Sequence, residues 1–188
     1  MKIIKKNLIL DHSDAFRYNK KFEKFYINHF CISDKKNFDL FNKKNTLSSH
    51  WGNRKKIIKK YFFLKKITND VFTYLVKKLN FVHKIDKNKN YWRIIIFPWV
   101  FYYVCIIYDR WKTIELLKKR KNFFFVKFYK ASDNFLEIKN TEDWINKSTN
   151  DLFNNNLLIK IIKYQKFSNI RIHKVRYKKL NNIKKKKI

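Results

Sequence analysis

The longest apolar stretch of the chain, residues 91–111 (YWRIIIFPWVFYYVCIIYDRW), constrains the fold more than any other segment. Its unbroken apolar part covers residues 94–108, about 15 residues, whereas a helix needs roughly 20 to cross the hydrocarbon core of a bilayer. Charged side chains bracket this part, Arg93 on one side and Asp109 and Arg110 on the other. The stretch therefore predicts a buried core helix and no transmembrane segment.

The only proline of the chain, Pro98, lies inside this stretch. Proline has no N–H to donate and clashes with the preceding turn, so it is best tolerated in the first turn of a helix. We therefore predict a short apolar element over residues 91–97, followed by a helix over residues 98–120.

The chain carries 46 Lys and Arg against 14 Asp and Glu, a formal net charge of +32. Such a charge is typical of proteins that bind nucleic acid or anionic membranes. The chain is also crowded with Lys, Asn, Ile, Phe and Tyr, whose codons are A/T-rich. An AT-rich genome gives this composition to any protein, so we predict no specific nucleic-acid partner. Hydrophobic residues make up 45% of the chain, which excludes a disordered protein.

The cysteines, histidines and glycine exclude several kinds of site. Cys31 and Cys105 match no metal or redox spacing, which favours free thiols in a reducing compartment. The five histidines form no HxxxH pair, so no metal site is predicted. Gly52 is the single glycine, which excludes a P-loop or a GxGxxG fingerprint, and no cofactor is predicted. Because no secretory signal opens the chain, we predict a cytoplasmic protein.

Apolar runs and capping residues predict an α/β fold that is predominantly helical, with a few N-terminal and central strands and long amphipathic helices. In chain order we predict a strand at 3–10, a turn at 11–14, a strand at 22–33, a loop at 34–49, a helix that begins near Asn53, a strand at 122–129, a short helix from Asn140 or Thr141, and a helix at 152–164. Residues 1–165 are assigned to a single α/β domain, and residues 166–188 to a basic, irregular tail.

The helix that begins near Asn53 is predicted to be amphipathic. Its apolar stripe, with spacings of three and four, is Ile57, Tyr61, Leu64, Thr68, Val71, Leu75 and Leu79. Most of its lysines lie off that stripe. A basic amphipathic helix can lie on a membrane or on RNA, but a core helix with a solvated lysine face is commoner, and we predict the core helix.

Two phrases of the chain resemble a known family. Residues 49–67 (SHWGNRKKIIKKYFFLKKI) and 79–111 (LNFVHKIDKNKNYWRIIIFPWVFYYVCIIYDRW) are similar, in order and spacing, to segments of the LIC12162-type transferases. The matching positions are Trp51, Arg54, Leu79, Asn80, His83, Tyr91, Trp92, Arg93, Pro98, Trp99, Asp109 and Arg110. The resemblance implies a transferase of bacterial surface-carbohydrate (O-antigen-like) biosynthesis, acting on a nucleotide sugar or an anionic sugar.

The chain departs from the family pattern in two places and in length. Phe97 stands where the family has a glycine before the proline, and the loop at residues 84–87 replaces a Gly- and Asn-rich one. Family members are longer, with a His-Gly-Gly-type segment in a second α/β half. The resemblance therefore implies the N-terminal part of a larger two-domain transferase fold, with a separately encoded C-terminal half as a partner.

The resemblance also marks candidate site residues. Arg93 and Arg110 are predicted to contact an anionic group, because a guanidinium fork suits phosphate or carboxylate oxygens. Trp92 and Trp99 are predicted to stack on a sugar or a base. Asp109 is a candidate for orienting an arginine or acting as a base.

His83 is a second acid–base candidate. The alternatives are purely structural: Arg93 with Asp109 as an ion pair that steadies the helix ends, and His83 as a hydrogen-bonded histidine at the end of a helix.

Two further functions stay open beside the transferase. The charge is consistent with a basic RNA-binding protein of ribosomal type, whose affinity would fall steeply with salt. The third hypothesis is a non-catalytic interaction module, such as one half of a split enzyme, which would expose apolar surface.

Overall fold

The computed structural model describes residues 4–10, 22–28, 31 and 45–175. The predicted turn at 11–14, most of the predicted loop at 34–49 and the last part of the predicted tail lie outside these residues. The chain forms two compact units, one made of Met1–Thr46 with Arg120–Ile188 and the other of Leu47–Lys119.

The first unit is built on a parallel sheet of four strands among the described residues. In chain order the strands are β1 (Lys5–Ile9), β2 (Glu23–Tyr26), β3 (Phe123–Tyr129) and β4 (Ile170–Val175), and their order across the sheet is β2-β1-β3-β4. Leu8 in the central strand β1 is paired with Phe25 on one side and Val126 on the other, and all three are buried. Continuous apolar runs are typical of parallel strands covered on both faces, and this pattern confirms the first three predicted strands.

In the described part of this unit three helices follow β3: α3 (Asp133–Leu136), α4 (Thr141–Ser148) and α5 (Asp151–Tyr164). Asn140 caps α4, because its side chain accepts a hydrogen bond from the Asp143 N–H, and this confirms the predicted start. The predicted helix at 152–164 is also confirmed. The short helix α3, capped by Ser132, was not predicted.

The irregular tail predicted from residue 166 is wrong for its first part, because Ile170–Val175 form β4. The strand pairs with β3 from Phe124↔Ile170 to Tyr129↔Val175. Arg171, His173 and Lys174 make up half of this segment, but Ile170 and Ile172 alternate with exposed residues, which is the period of a strand with one covered face. The domain assignment of residues 1–165 stays a prediction.

The second unit is a helical hairpin made of α1 (Arg54–His83) and α2 (Lys89–Glu115), with a 3₁₀ turn at Leu116–Lys119. The helices run antiparallel, since the Lys89 ammonium near the start of α2 donates to Thr73 and the Tyr61 ring packs against Phe101 further on. Asn53 caps α1 as predicted. With the sheet of the first unit, the long helices confirm the predominantly helical α/β class.

Pro98 lies inside α2, so the predicted division into residues 91–97 and 98–120 is wrong. Proline removes the hydrogen bond to the carbonyl four residues earlier, that of Ile94. Ile94 is 83% exposed, and water can therefore satisfy this carbonyl. By length and composition alone, the segment Lys89–Lys119 is long and apolar enough to cross a membrane, with 17% of its most apolar window buried. The absence of a transmembrane segment stays a prediction.

The predicted apolar stripe of α1 is buried only in part. Leu64 and Thr68 are buried, together with Phe72, which lies one position off the predicted stripe. Ile57 and Tyr61 remain exposed. A hairpin of two helices covers a narrow strip of each partner, so α1 is not the fully packed core helix that the sequence predicted.

The buried amides of Asn155 and Asn156 join α5 to β3. Asn156 accepts a hydrogen bond from the Ala131 N–H and donates to the Tyr129 carbonyl. Asn155 likewise accepts from the Tyr129 N–H and donates to the Lys127 carbonyl. These side chains supply hydrogen-bond partners to backbone groups at the end of β3 and so fix α5 against that strand.

We expect Asn156→Ala to lower the free energy of unfolding by about 1–3 kcal/mol, because it leaves the buried Ala131 N–H and Tyr129 carbonyl without their partner. Urea unfolding measures the change. Asn146→Ala, at an exposed position of α4, is the matched control and should change the free energy by less than about 0.5 kcal/mol. Equal effects of the two substitutions would contradict this account.

Candidate functional site

Asp109, near the end of α2, accepts three hydrogen bonds from charged or aromatic side chains. Its Oδ1 lies 3.0 Å from His50 Nε2 and 2.8 Å from Trp51 Nε1, and its Oδ2 lies 2.7 Å from Arg110 Nη1. His50 and Trp51 come from the segment just before α1, so the carboxylate fastens that segment to the opposite helix. The prediction that Asp109 orients Arg110 is consistent with this geometry.

Burial alone would raise the pKa of Asp109 above 3.8. The hydrogen bonds from His50 and Trp51, with the charge and hydrogen bond of Arg110, outweigh burial and lower the pKa of Asp109 to about 2. The carboxylate is therefore charged at any physiological pH, which makes it a fixed anion and an unsuitable general base near neutral pH.

His50 connects Asp109 to Lys60 of α1. The Lys60 Nζ lies 3.1 Å from His50 Nδ1 and also donates to the His50 carbonyl. If Lys60 is charged, Nδ1 must accept, and the Nε2–H then donates to Asp109. Burial, together with the positive charges of nearby lysines, lowers the pKa of Lys60. The arrangement holds one imidazole between an anion and a cation, with both ring nitrogens in hydrogen-bond contact.

A groove of about 230 Å³ lies between α1 and α2. Its lining repeats every four residues on each helix: Tyr61, Lys65 and Asn69 on α1, and Arg93, Phe97 and Phe101 on α2. This spacing places each trio on one side of its helix. The groove therefore combines two cations and an amide with three aromatic rings, and its lining contains no carboxylate.

Aromatic rings hold the Arg93 side chain in this groove. Its guanidinium carbon lies 4.9 Å from the ring centroid of Phe97 and 5.6 Å from that of Phe72. It makes no hydrogen bond or ion pair with any residue that the structure describes. The guanidinium is thus positioned by its flat faces, while its N–H groups are left for a ligand or water.

The other end of the hairpin is closed by Asn80. Its Oδ1 accepts hydrogen bonds from Trp92 Nε1 at 2.6 Å and from the Lys87 N–H at 3.3 Å, and its Nδ2 donates to the Lys87 carbonyl. Lys84 takes a left-handed conformation, φ 54°, where α1 ends. These contacts hold the predicted stacking residue Trp92, in the first turn of α2, against the end of α1, with its side chain buried.

The remaining candidates lie apart from the groove. The exposed His83, in the last turn of α1, has its ring 5.9 Å from that of Trp92. Trp99 stacks on Tyr103 at 5.7 Å, and its Nε1 is buried without a hydrogen-bond partner among the residues that the structure describes. Neither His83 nor Trp99 lines the groove beside Arg93.

The structure separates the predicted site into two groups. Arg93 and Asp109 lie near opposite ends of α2, about 24 Å apart at 1.5 Å per residue, so the alternative of an ion pair between them is wrong. Asp109 and Arg110 belong to one group, and Arg93 belongs to the groove. The roles of these residues in substrate binding stay predictions.

Sequence reasoning missed His50, Lys60 and Lys65. His50 bonds a residue 59 positions away, a distance that no local pattern reveals. The one available signal was its place beside Trp51 in the first family-like phrase. Lys60 and Lys65 were hidden among the many lysines that were assigned to a solvated face.

No group of three or more potential metal ligands (His, Cys, Asp or Glu) occurs within the described part of the chain. Cys31 is buried and Cys105 is partly buried, and both are free thiols. Burial raises the pKa of the Cys105 thiol.

Comparison with known proteins adds one finding. The family model described as LIC12162 family transferase matches residues 6–188 of the chain. Searches of curated proteins and of solved structures found no match. The matched range covers nearly the whole chain, including both units, and it confirms the family indicated by residues 49–111.

The folded state should lose stability in acid through Asp109. Because the pKa of this carboxyl is lowered in the folded protein, its contribution is complete above its unfolded pKa near 4 and disappears as the pH falls through about 2. The shift corresponds to about 2 kcal/mol. In urea unfolding between pH 5 and 2, roughly the range of this titration, we expect a shallower pH dependence for Asp109→Asn than for the native chain.

Asp86→Asn is the control for this experiment, since it removes the same charge from an exposed turn of the same unit. It should change the free energy of unfolding by less than about 0.5 kcal/mol. An Asp109→Asn variant with the native acid dependence would refute the assignment.

Proposed function

Because the chain belongs to the LIC12162 family of transferases, we propose that it binds an anionic sugar substrate in the groove between α1 and α2, within bacterial surface-carbohydrate biosynthesis. The substrate class is a nucleotide sugar or a sugar that carries a carboxylate or phosphate. Family membership supports the transferase activity, and the groove supports the choice of ligand.

The observation that carries this proposal is the set of contacts made by the Arg93 guanidinium. An arginine packed on two rings, without a carboxylate partner among the described residues, keeps its N–H donors for an incoming anion. Guanidinium groups bind phosphate and carboxylate oxygens in pairs of parallel hydrogen bonds. Lys65 adds a second positive charge to the same groove.

The rest of the groove suits the uncharged part of such a ligand. Phe97, Phe101 and Tyr61 offer aromatic surface on which a base or the apolar face of a sugar can stack. The amide of Asn69 can donate to or accept from a hydroxyl. We therefore assign the stacking role to the groove rings, in place of Trp92 and Trp99.

The Asp109 group has a different proposed role. Asp109 stays charged and holds His50 through Nε2, while Nδ1 of the same imidazole lies 3.1 Å from Lys60 Nζ. We therefore assign acid–base work to His50, with Asp109 as the residue that positions it, and Arg110 as a second contact for anionic groups.

The proposal predicts that Arg93→Ala weakens binding of a nucleotide sugar about tenfold or more, because it removes charge-assisted hydrogen bonds worth roughly 1.5–3 kcal/mol. Calorimetric titration of the chain with a panel of uridine and cytidine diphosphate sugars, and with the same sugars lacking the nucleotide, measures this change. Arg171→Ala, at an exposed position of β4, is the control for lost charge and should bind as the native chain does.

The same pair of variants tests the RNA-binding alternative. Non-specific RNA binding depends on total charge and falls with salt, so Arg93→Ala and Arg171→Ala should weaken it equally. Nucleotide-sugar binding at native strength by Arg93→Ala would reject the groove as the substrate site.

A further inference from the structure

The hairpin carries a second surface on the side away from the groove. On α2, spacings of four, three and four define a stripe of exposed residues: Tyr91, Ile95, Pro98 and Tyr102. Such spacings place side chains on one face of a helix. Ile95 is 53% exposed, although it is a large aliphatic residue.

A matching stripe runs along α1. The same spacings of four, three and four give Val71, Leu75, Lys78 and Val82, of which Val82 is 68% exposed. Val71 and Ile95 each follow a groove residue, Asn69 and Arg93, by two positions. Two positions correspond to about 200° around a helix. The two stripes therefore share the side of the hairpin opposite the groove, and together they form one apolar face.

The charge of the residues around this apolar face indicates what kind of surface it contacts. Between residues 77 and 95 the chain has six basic residues and one acidic residue, Asp86. A second copy of the chain would bring another net charge of +32 against it, and like charges oppose such a contact. A partner surface that is both apolar and negatively charged matches the apolar side chains of this face and the basic residues around it.

We propose that this face of the α1–α2 hairpin lies on an anionic lipid surface. Aliphatic and tyrosine side chains enter the boundary between headgroups and acyl chains, while the surrounding lysines contact lipid phosphates. Lysine stems can lie along apolar surface with their ammonium groups in water or at headgroups. Lys87 and Lys78 already lie over the rings of Tyr91 and Tyr74, at 5.5 and 5.6 Å.

This orientation has a consequence for the groove. A hairpin that lies on the lipid through Val82 and Ile95 turns Arg93 and Lys65 toward the aqueous phase. The membrane contact and the proposed anion site therefore use different residues, so each can be removed without the other.

The test is co-sedimentation of the full chain with lipid vesicles. We expect binding to vesicles of equal parts phosphatidylcholine and phosphatidylglycerol, weaker binding at high salt, and little binding to phosphatidylcholine alone. The double variant Val82→Ser/Ile95→Ser should bind the anionic vesicles about tenfold more weakly, because it removes the inserted apolar surface.

Phe62→Ser is the matched control. Phe62 is 62% exposed, similar to Val82, but it lies on the other side of α1, twenty positions from Val82 and therefore about 200° around the helix. It should bind like the native chain, and circular dichroism should show that all variants keep their helices.

Three results would overturn the proposal. One is no binding to the anionic vesicles. Another is native-strength binding by the double variant, which would indicate adsorption through charge alone. The third is loss of binding by Phe62→Ser as large as that of the double variant, which would indicate a general apolar stickiness. A protein partner for this face would give the first result.

Discussion

The hairpin of the second unit depends on the charged and partly buried carboxylate of Asp109, whose side chain is 29% exposed. An ionised group in such a place is costly unless donors surround it, and Asp109 has His50, Trp51 and Arg110. The hydrogen bonds from His50 and Trp51 offset the cost of burying this carboxylate, and they also fix the segment before α1 against the end of α2. At the far end, Asn80 performs the same task without a charge by bonding Trp92 and the turn. The two helices are thus fastened at both ends by polar contacts.

Fastening at the ends leaves the flanks of the hairpin open. Its interior is narrow, with Leu64, Thr68 and Phe72 buried on α1 and Val100 and Trp92 on α2. Two helices alone cannot cover a stripe much wider than this, so apolar and basic side chains remain at the surface on both sides. One flank gathers Arg93, which packs on aromatic rings, and Lys65, which lines the same groove. The other gathers aliphatic and tyrosine side chains. The proposed functions follow from this division into two different flanks.

Local features of the fold were predictable because local chemistry determines them. The caps Asn53 and Asn140 and the apolar strand β3 are patterns within a few residues. Two errors had physical causes. Pro98 is tolerated inside α2 because the carbonyl that it leaves unpaired belongs to the exposed Ile94. The strand β4 was hidden because Arg171, His173 and Lys174 interrupt its aliphatic residues. The contact of His50 with Asp109 spans 59 positions, so only the fold could reveal it. Arg93 was found through the resemblance, but the ring of Phe72 that packs against it and the groove residue Lys65 were not.

The total positive charge of the chain does not by itself identify a binding site, and the positions of the few acidic residues are needed to do so. Carboxylates neutralise particular cations: Glu23 pairs with Lys6, Glu115 with Lys112, and Asp143 with Lys147. With 14 acidic residues against 46 basic ones, the acids are too few to give each cation its own partner, and codon bias is the predicted reason for the number of cations. It does not explain why Arg93, one of the less frequent arginines, is held on two rings in a groove without a carboxylate. The position of Arg93 in the groove and the rings packed against it, rather than the total charge, therefore identify it as the cation suited to bind an anion.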